Sequence, residues 1–252
     1  MTEIGFVKIR SPLKGNEAEP RRAPRLAEQE PFASALPSKA RDCAAGQELT
    51  FEGDAAAPVL FVLDGWLSVS KSLGDGQRQI IDFVLPGDFI ASASADGTTS
   101  TLQIDALTDA RVAVFSELQW TRLQWDRPDL HWQAIHLHAA SQARLSERIL
   151  RIGKGDAPMR IAYALLELCV RLKAIGRAPN CSFRLPLTQL QIGDFTGLSS
   201  VHVCRTMRKL VQSGIISVDE HPTIRILDPA RLSKLAGVDI RQLSREIMPK
   251  VV

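Results

Sequence analysis

The side chains able to do bond chemistry are few in this chain and poorly placed for catalysis. Five histidines and four cysteines stand among 252 residues. His131, His136 and His138 lie near one another, but only His131 and His138 share a helical face, two turns apart. That spacing suits a seam or surface role better than a metal site. Cys43, Cys169, Cys181 and Cys204 have no short paired spacing, so no disulfide framework follows from them. No Ser/His/Asp set, phosphate loop or carboxylate pair emerges. The chain therefore reads as no enzyme, with no cofactor and no metal. What remains is cationic. The stretch "GLSSVHVCRTMRKL", residues 197–210, opens with a glycine and a serine pair suited to helix capping and ends in a burst of positive charge.

Set on a wheel of about 100° per residue, a helix from Ser200 to Gln212 places Val203, Met207 and Leu210 in one sector, the core side. Val201, Arg205, Arg208 and Gln212 fall opposite, with Cys204 on one flank and His202 and Lys209 on the other. An apolar back and an arginine-bearing front suit the major groove of double-stranded DNA. Arg205 is placed to bond both acceptors of a guanine edge. Ser200 and Val201 reach deepest, Val201 against a thymine methyl. Ser199, His202, Thr188 and Gln189 are positioned to hold phosphates, and Arg208 and Lys209 add to the same cationic surface. The alternative is a plain surface helix with arginines. Cys204 has two readings as well: a small packing residue, or a thiol whose oxidation beside DNA phosphates would weaken binding.

The elements that must position this helix are legible on either side. Thr188-Gln189-Leu190-Gln191 is a capping box that opens a short helix. Gly197 can end that helix in the left-handed conformation. Ser199 caps the next helix and Gly214 closes it. "IISVDEHPTIRIL" reads as two strands about a tight turn. Helix, turn, helix and hairpin make a winged helix-turn-helix over residues 156–237, with a C-terminal tail at 238–252. A helix from Met159 to Ile175 supports it. Upstream, a long helix from Pro128 to Ile152, capped by Asp126 and stopped by Gly153, fills a segment at 126–153. His131, Ile135, His138, Gln142, Leu145, Ile149 and Ile152 alternate by four and three along it. They form a narrow stripe that fits pairing with a second copy; packing on the chain's own barrel is the alternative.

Between about residue 35 and residue 125 the texture changes to short strand-like runs, LTFEG, VLFVLDG, LSVSKSL, QIIDFVL, STLQIDAL and ARVAVF. Turn signals such as Asp64-Gly65 and Pro86-Gly87-Asp88 separate them. This predicts an antiparallel β-roll of jelly-roll type, and the whole chain an α+β fold. A cupin-type enzyme would carry metal-binding histidines on such strands, and all five histidines lie outside them. Residues 1–34 mix Pro, Arg, Glu and Ala without periodicity, as a loosely ordered extension.

Charge is divided along the chain. From Gly155 onward 14 Lys and Arg face 8 Asp and Glu, a net of +6, whereas the first 154 residues hold 17 against 20, a net of −3. A polyanion is expected at the C-terminal end. No apolar run approaches the ~18 residues of a membrane span, and the charged N-terminus is no secretory signal. A cytoplasmic protein without membrane contact is expected.

Taken together, "LTQLQIGDFTGLSSVHVCRTMRKLVQSGII", "AGQELTFEGD", "DGWLSVSKSLGDGQRQIIDFVLPGDF" and "DARVAVF" resemble the Crp/Fnr family of bacterial transcription regulators, from about Cys43 to Gly237. The resemblance implies a homodimeric activator bound to a palindromic promoter site and touching RNA polymerase. It also exposes departures. Cyclic-nucleotide-binding members carry a Gly-Glu and an Arg-Ser pair after the Pro-Gly-Asp turn, whereas "PGDFIASASADGTTSTLQIDA" has neither Glu nor Arg between Asp88 and Asp105. A buried phosphate without a cation is costly, so cyclic AMP is not the expected signal, and the effector stays undefined. One sensor cysteine, Cys43, is too few for an iron–sulfur cluster. Many members have Glu where Val201 stands, so the half-site should differ. The competing class is a ligand-binding module of cyclic-nucleotide type that does not act through DNA; the winged helix-turn-helix argues against it.

Overall fold

The computed structural model describes residues 40–55, 57–219 and 222–249. The expected N-terminal extension, residues 35–39 of the roll, Glu220 and His221 of the wing turn, and residues 250–252 lie outside them.

Eight strands build the roll: β1 (Ala40–Cys43), β2 (Glu48–Thr50), β3 (Val59–Asp64), β4 (Leu67–Ser72), β5 (Arg78–Val84), β6 (Phe89–Ala91), β7 (Gln103–Ala106) and β8 (Ala110–Phe115). They pair as two antiparallel sheets, β1-β8-β3-β6 and β2-β7-β4-β5. Strand alternation divides the side chains. Leu60, Val62, Leu67, Val69, Ile104 and Val112 fill the space within the roll. Val59, Phe61, Ala113 and Phe115 point the other way, toward Trp120, Leu130, Ala134 and Leu137. The predicted strand runs are all present, while the short β1 and β6 were not foreseen.

Helix α1 (Glu117–Asp126) follows, opened by a capping box in which Ser116 and Gln119 exchange bonds. This helix was not foreseen, though the Ser-x-x-Gln pattern announces it. It also corrects the start of the long helix. Asp126 is the last residue of α1 and cannot cap α2 (Pro128–Lys154); Arg127 holds the cap position without a side-chain capping bond, and Pro128 takes the first turn. Gly153 does not stop α2, which runs to Lys154 and ends at Gly155.

Helix α3 (Ala157–Ala174), capped by Asp156, leads through a short 3-10 turn (Pro179–Cys181) to β9 (Ser182–Arg184). Then come α4 (Gln189–Thr196), α5 (Ser200–Gln212), β10 (Ile216–Val218) and β11 (Thr223–Ile226), with the small sheet ordered β10-β11-β9. The segment expected as a C-terminal tail contains a further helix. Helices α6 (Pro229–Ala236) and α7 (Ile240–Ile247) bury Leu232, Ala236, Leu243 and Ile247 in the same core as α3. The pattern Leu243-x3-Ile247 behind the capping Asp239 carried that signal.

Candidate nucleic-acid interface

The exposed cations of α5 are held by a turn with almost no slack. Thr188 Oγ1 accepts from the Gln191 amide at 3.2 Å while Gln191 Oε1 accepts from the Thr188 amide at 2.8 Å, fixing the start of α4. Gly197 ends α4 with φ +65°, in the left-handed region that favours glycine. Gly193 is required by closeness: a Cβ there would lie 2.4 Å from the Leu198 carbonyl oxygen. Ser199 caps α5, its Oγ accepting from the His202 amide and lying 2.9 Å from His202 Nδ1.

On α5 the wheel expectation is met on both sides. Val203 and Leu210 are buried, Met207 half-buried against the same core, and Thr206 is buried as well. Val201, His202, Arg205, Arg208 and Lys209 are exposed, Ser199 is exposed, and Ser200, Thr188, Gln189 and Cys204 are half-buried. The candidate residues therefore gather on one outward face spanning the tips of α4 and α5. Ser199 and His202 are bonded to each other and stand as a pair rather than as two independent polar groups. The start of α5, with its helix dipole, favours an anion.

Sequence reasoning missed what anchors this face. The Arg160 guanidinium on α3 donates to the Thr196 and Gly197 carbonyls at 3.4 and 3.2 Å. Gln79 of the roll donates to the Asp194 and Phe195 carbonyls, so side chains from elsewhere in the fold satisfy the last carbonyls of α4. Phe83 of β5 and Phe195 of α4 stack with ring centres 4.5 Å apart.

Behind that contact lies a buried ionic junction. Asp82 and Asp88 from the roll, Arg144 and Arg148 from α2, and Glu167 and Arg171 from α3 form a balanced set of three anions and three cations. Arg171 reaches Asp88 at 2.7 Å, Asp82 at 3.2 Å and Glu167 at 3.1 Å, and donates to the Phe83 carbonyl at 2.6 Å. Arg148 lies 3.2 Å from Asp82 and 3.5 Å from Glu167, and Arg144 lies 3.3 Å from Asp82. Burial raises the pKa of Asp82, but Arg148, Arg171 and Arg144 outweigh it and hold the carboxyl far below its usual range. Burial works against the Arg171 cation, and Asp82, Asp88 and Glu167 more than offset that. The spacing Arg144, Arg148, Arg151 along α2 was visible in sequence; the partners in the roll, more than fifty residues earlier, were not.

The long helix has one face packed within the chain and one exposed face. Leu130, Ala134, Leu137, Ala140, Arg144, Arg148 and Arg151 pack on the chain's own roll and α3. Among the expected stripe residues His131, Ile135, His138, Gln142 and Ile149 are exposed, and Leu145 and Ile152 half-buried. Trp132 and Leu150 widen that apolar strip, at 59% and 53% exposure, and were not foreseen.

The segment after Pro86-Gly87-Asp88 is closed on itself. Ser94 Oγ donates to Asp96 Oδ1 at 2.5 Å, the Thr98 hydroxyl donates to the same oxygen at 2.8 Å, and the Ser100 and Ser92 hydroxyls bond at 2.9 Å. The Ser94 hydroxyl, then the Thr98 amide and hydroxyl, hold the Asp96 carboxyl down at about 2. Among the described residues no three His, Cys, Asp or Glu side chains gather as a metal site, and no helix is long and apolar enough to cross a membrane.

Comparison with known proteins agrees with this arrangement. Residues 40–124 match the cyclic nucleotide-binding domain and residues 159–235 the Crp-like helix-turn-helix domain. The chain is 31% identical over 192 residues to the nitrogen fixation regulation protein FixK of Bradyrhizobium diazoefficiens, covering 76% of this chain and 79% of that protein. It is 27% identical to the transcriptional activator protein FnrL of Cereibacter sphaeroides, over 79% of this chain and 81% of that one. The solved structure of FixK2 from Bradyrhizobium japonicum superposes with a TM-score of 0.69 at 26% identity, over 78% of this chain and 96% of that one. With roll, long helix and helix-turn-helix all matched in order, the chain belongs to the Crp/Fnr family of DNA-binding transcription regulators.

Proposed function

We propose that two copies pair along the exposed strip of α2, through Ile135, His138, Gln142, Leu145, Ile149 and Ile152, and set two α5 helices into successive major grooves of a palindromic promoter site. Half-sites one helical turn apart need two linked readers. The observation that carries this reading is the outward face of α5, with Val201, Arg205, Arg208 and Lys209 exposed at the mouth of a capped helix. In it Arg205 reads guanine, Val201 touches a thymine methyl, and Ser199, Ser200, His202, Thr188 and Gln189 hold the backbone. The protein acts in the cytoplasm as an activator that also touches RNA polymerase, and it catalyses no reaction. Its roll does not use cyclic AMP, because residues 92–101 offer Asp96 and hydroxyls already bonded among themselves. A gel shift of the full chain against promoter fragments tests the reading. The expected result is a retarded band displaced by its own palindrome and not by a scrambled duplex. Absence of any retarded band would favour a ligand-binding module that works without DNA.

A further inference from the structure

The corner between α2 and α3 gathers cations around one unanswered hydroxyl. Arg148 and Arg151 stand three apart near the end of α2, Arg160 and Tyr163 three apart near the start of α3, so each pair shares a helix face. Gly155 makes the corner tight: a Cβ there would lie 2.8 Å from the Arg151 carbonyl oxygen. The four side chains line one cavity of about 10 Å³ with Phe195 and Thr196 of α4. The Arg151 guanidinium lies over the Tyr163 ring, 4.2 Å from its centre, and Arg148 over the Phe195 ring at 4.9 Å. Tyr163 is 2% exposed, and its hydroxyl has no hydrogen-bond partner among the described residues. Burial, then the Glu167 carboxylate, push the phenol well above its ordinary pKa, so it keeps its proton.

We propose that this cavity binds a single monatomic anion, a halide such as chloride, held by Tyr163, Arg160 and the two arginines of α2. Charge balance calls for one negative charge. Arg148 belongs to the junction, where three cations meet three anions, and Arg151 is matched by Glu147 at 2.7 Å. Arg160 has no such partner among the described residues; its guanidinium donates only to the carbonyls of Gly155, Thr196 and Gly197. It is half-buried, where an unmatched charge costs more than in water. Hydrogen bonding points the same way. Guanidinium groups only donate, and the Tyr163 phenol holds a proton with nothing to receive it. The Thr196 carbonyl already accepts from Arg160, the Phe195 carbonyl accepts from Gln79, and the Thr196 hydroxyl donates to Ile192 at 2.7 Å. A water here would accept from Tyr163 but turn its own hydrogens toward guanidinium donors. An ion that only accepts meets no such conflict. Size sets the class, because the space suits a monatomic ion and excludes tetrahedral phosphate and sulfate.

The location gives the ion a task. Arg160 holds the two carbonyls at the turn before α5, and Arg151 donates to the Ala236 carbonyl of α6 at 3.1 Å. Neutralising Arg160 where it stands favours its inward position over one extended into water. The ion thereby fastens the end of α2 to the turn that carries α5. Binding needs no DNA, so it stands or falls apart from the operator reading.

Chlorine NMR of the full-length protein tests the site, with sodium chloride exchanged for sodium gluconate at constant ionic strength. The expected signal is an excess chloride line width that saturates and is displaced by bromide. It should be lost in Arg160→Gln and fall several-fold in Tyr163→Phe, which keeps the ring under Arg151. Arg205→Gln, on the exposed face of α5, should leave it unchanged. A second arm reads stability. Chloride at about tenfold over half-saturation should raise the wild-type melting temperature by about 3–6 °C relative to gluconate. Tyr163→Phe should show no such rise, and in gluconate it should be no less stable than wild type, having lost an unpaired buried hydroxyl. Crystals grown in sodium bromide should show anomalous density between Tyr163 and Arg160. Broadening that grows without saturation, or that is equal in wild type and Tyr163→Phe, would overturn the proposal, since chloride would then meet only exposed cations. Bromide confined to the protein surface would overturn it as well.

Discussion

The interior of the roll and the junction behind it are built on opposite principles. Within the roll, Leu60, Val62, Leu67, Ile104 and Val112 belong to one apolar cluster. At the junction, six charged side chains lie mostly out of water a few ångströms from one another. An apolar core tolerates removal of one member in proportion to the hole left. An ionic cluster does not grade its response in that way. Removing one cation strands two or three anions, while removing a matched set can cost nothing.

That contrast can be broken or sharpened by mutation. The largest effect is expected for Arg171→Ala, which leaves Asp82, Asp88 and Glu167 undercompensated; chemical denaturation should show a loss of about 3–5 kcal/mol. Combining Arg171→Met with Glu167→Leu, which removes one cation and one anion, should restore most of it, and a double variant no better than the single would mean that the charges are not acting as a set. In the roll, Leu60→Ala should cost about 2–5 kcal/mol by the same measurement, without a second-site charge change that repairs it.

Acid should separate the two regions. Asp82 has its folded pKa depressed, so its contribution is fully present above the unfolded value of about 3.9 and is lost as pH falls below that. Leu60, Val62, Leu67, Ile104 and Val112 carry no ionisable group. Hydrogen exchange near about pH 3, corrected for intrinsic rates, should show protection lost first in β5 and the second half of α2. Simultaneous loss in β3 and β8 would contradict the contrast.

Smaller effects are expected on the exposed face of α5. Arg205→Ala should reduce binding to a cognate palindrome by about 1–3 kcal/mol and leave non-specific binding nearly unchanged. Charged residues at Leu145 and Ile149 together should turn a dimer into monomers by light scattering, with little change in the fold of either region. Smallest of all, calorimetric titration with cyclic AMP should give no heat of binding at the roll; measurable micromolar affinity would restore the family's nucleotide site.

What the sequence made legible follows the same line. Strand runs, the capping box at Thr188–Gln191, Gly197 and the apolar back of α5 are local patterns, each written within a dozen residues, and the structure repeats them. The α1 cap at Ser116 and Gln119 and the apolar spacing of α7 were local too, and were missed by reading those stretches as roll and tail. The junction is of another kind. Asp82 pairs with residues 62, 66 and 89 positions away, and no periodicity reports such a partner. Gln79 looks like an ordinary strand residue until Phe195 offers it a carbonyl. Long-range polar pairing leaves almost no trace in a single sequence.

The bonds from Gln79 to the end of α4 also bear on how such a protein can change over evolutionary time. A reading head cut away at Gly155 would keep Arg171 and Glu167 but lose Asp82, Asp88, Arg144 and Arg148, and it would lay the Phe195 ring bare. It is not a detachable cassette. Recombination that grafts this head onto a foreign sensor must bring a matching strand β5 with it, so this joint favours gradual retuning of one lineage over the shuffling of parts.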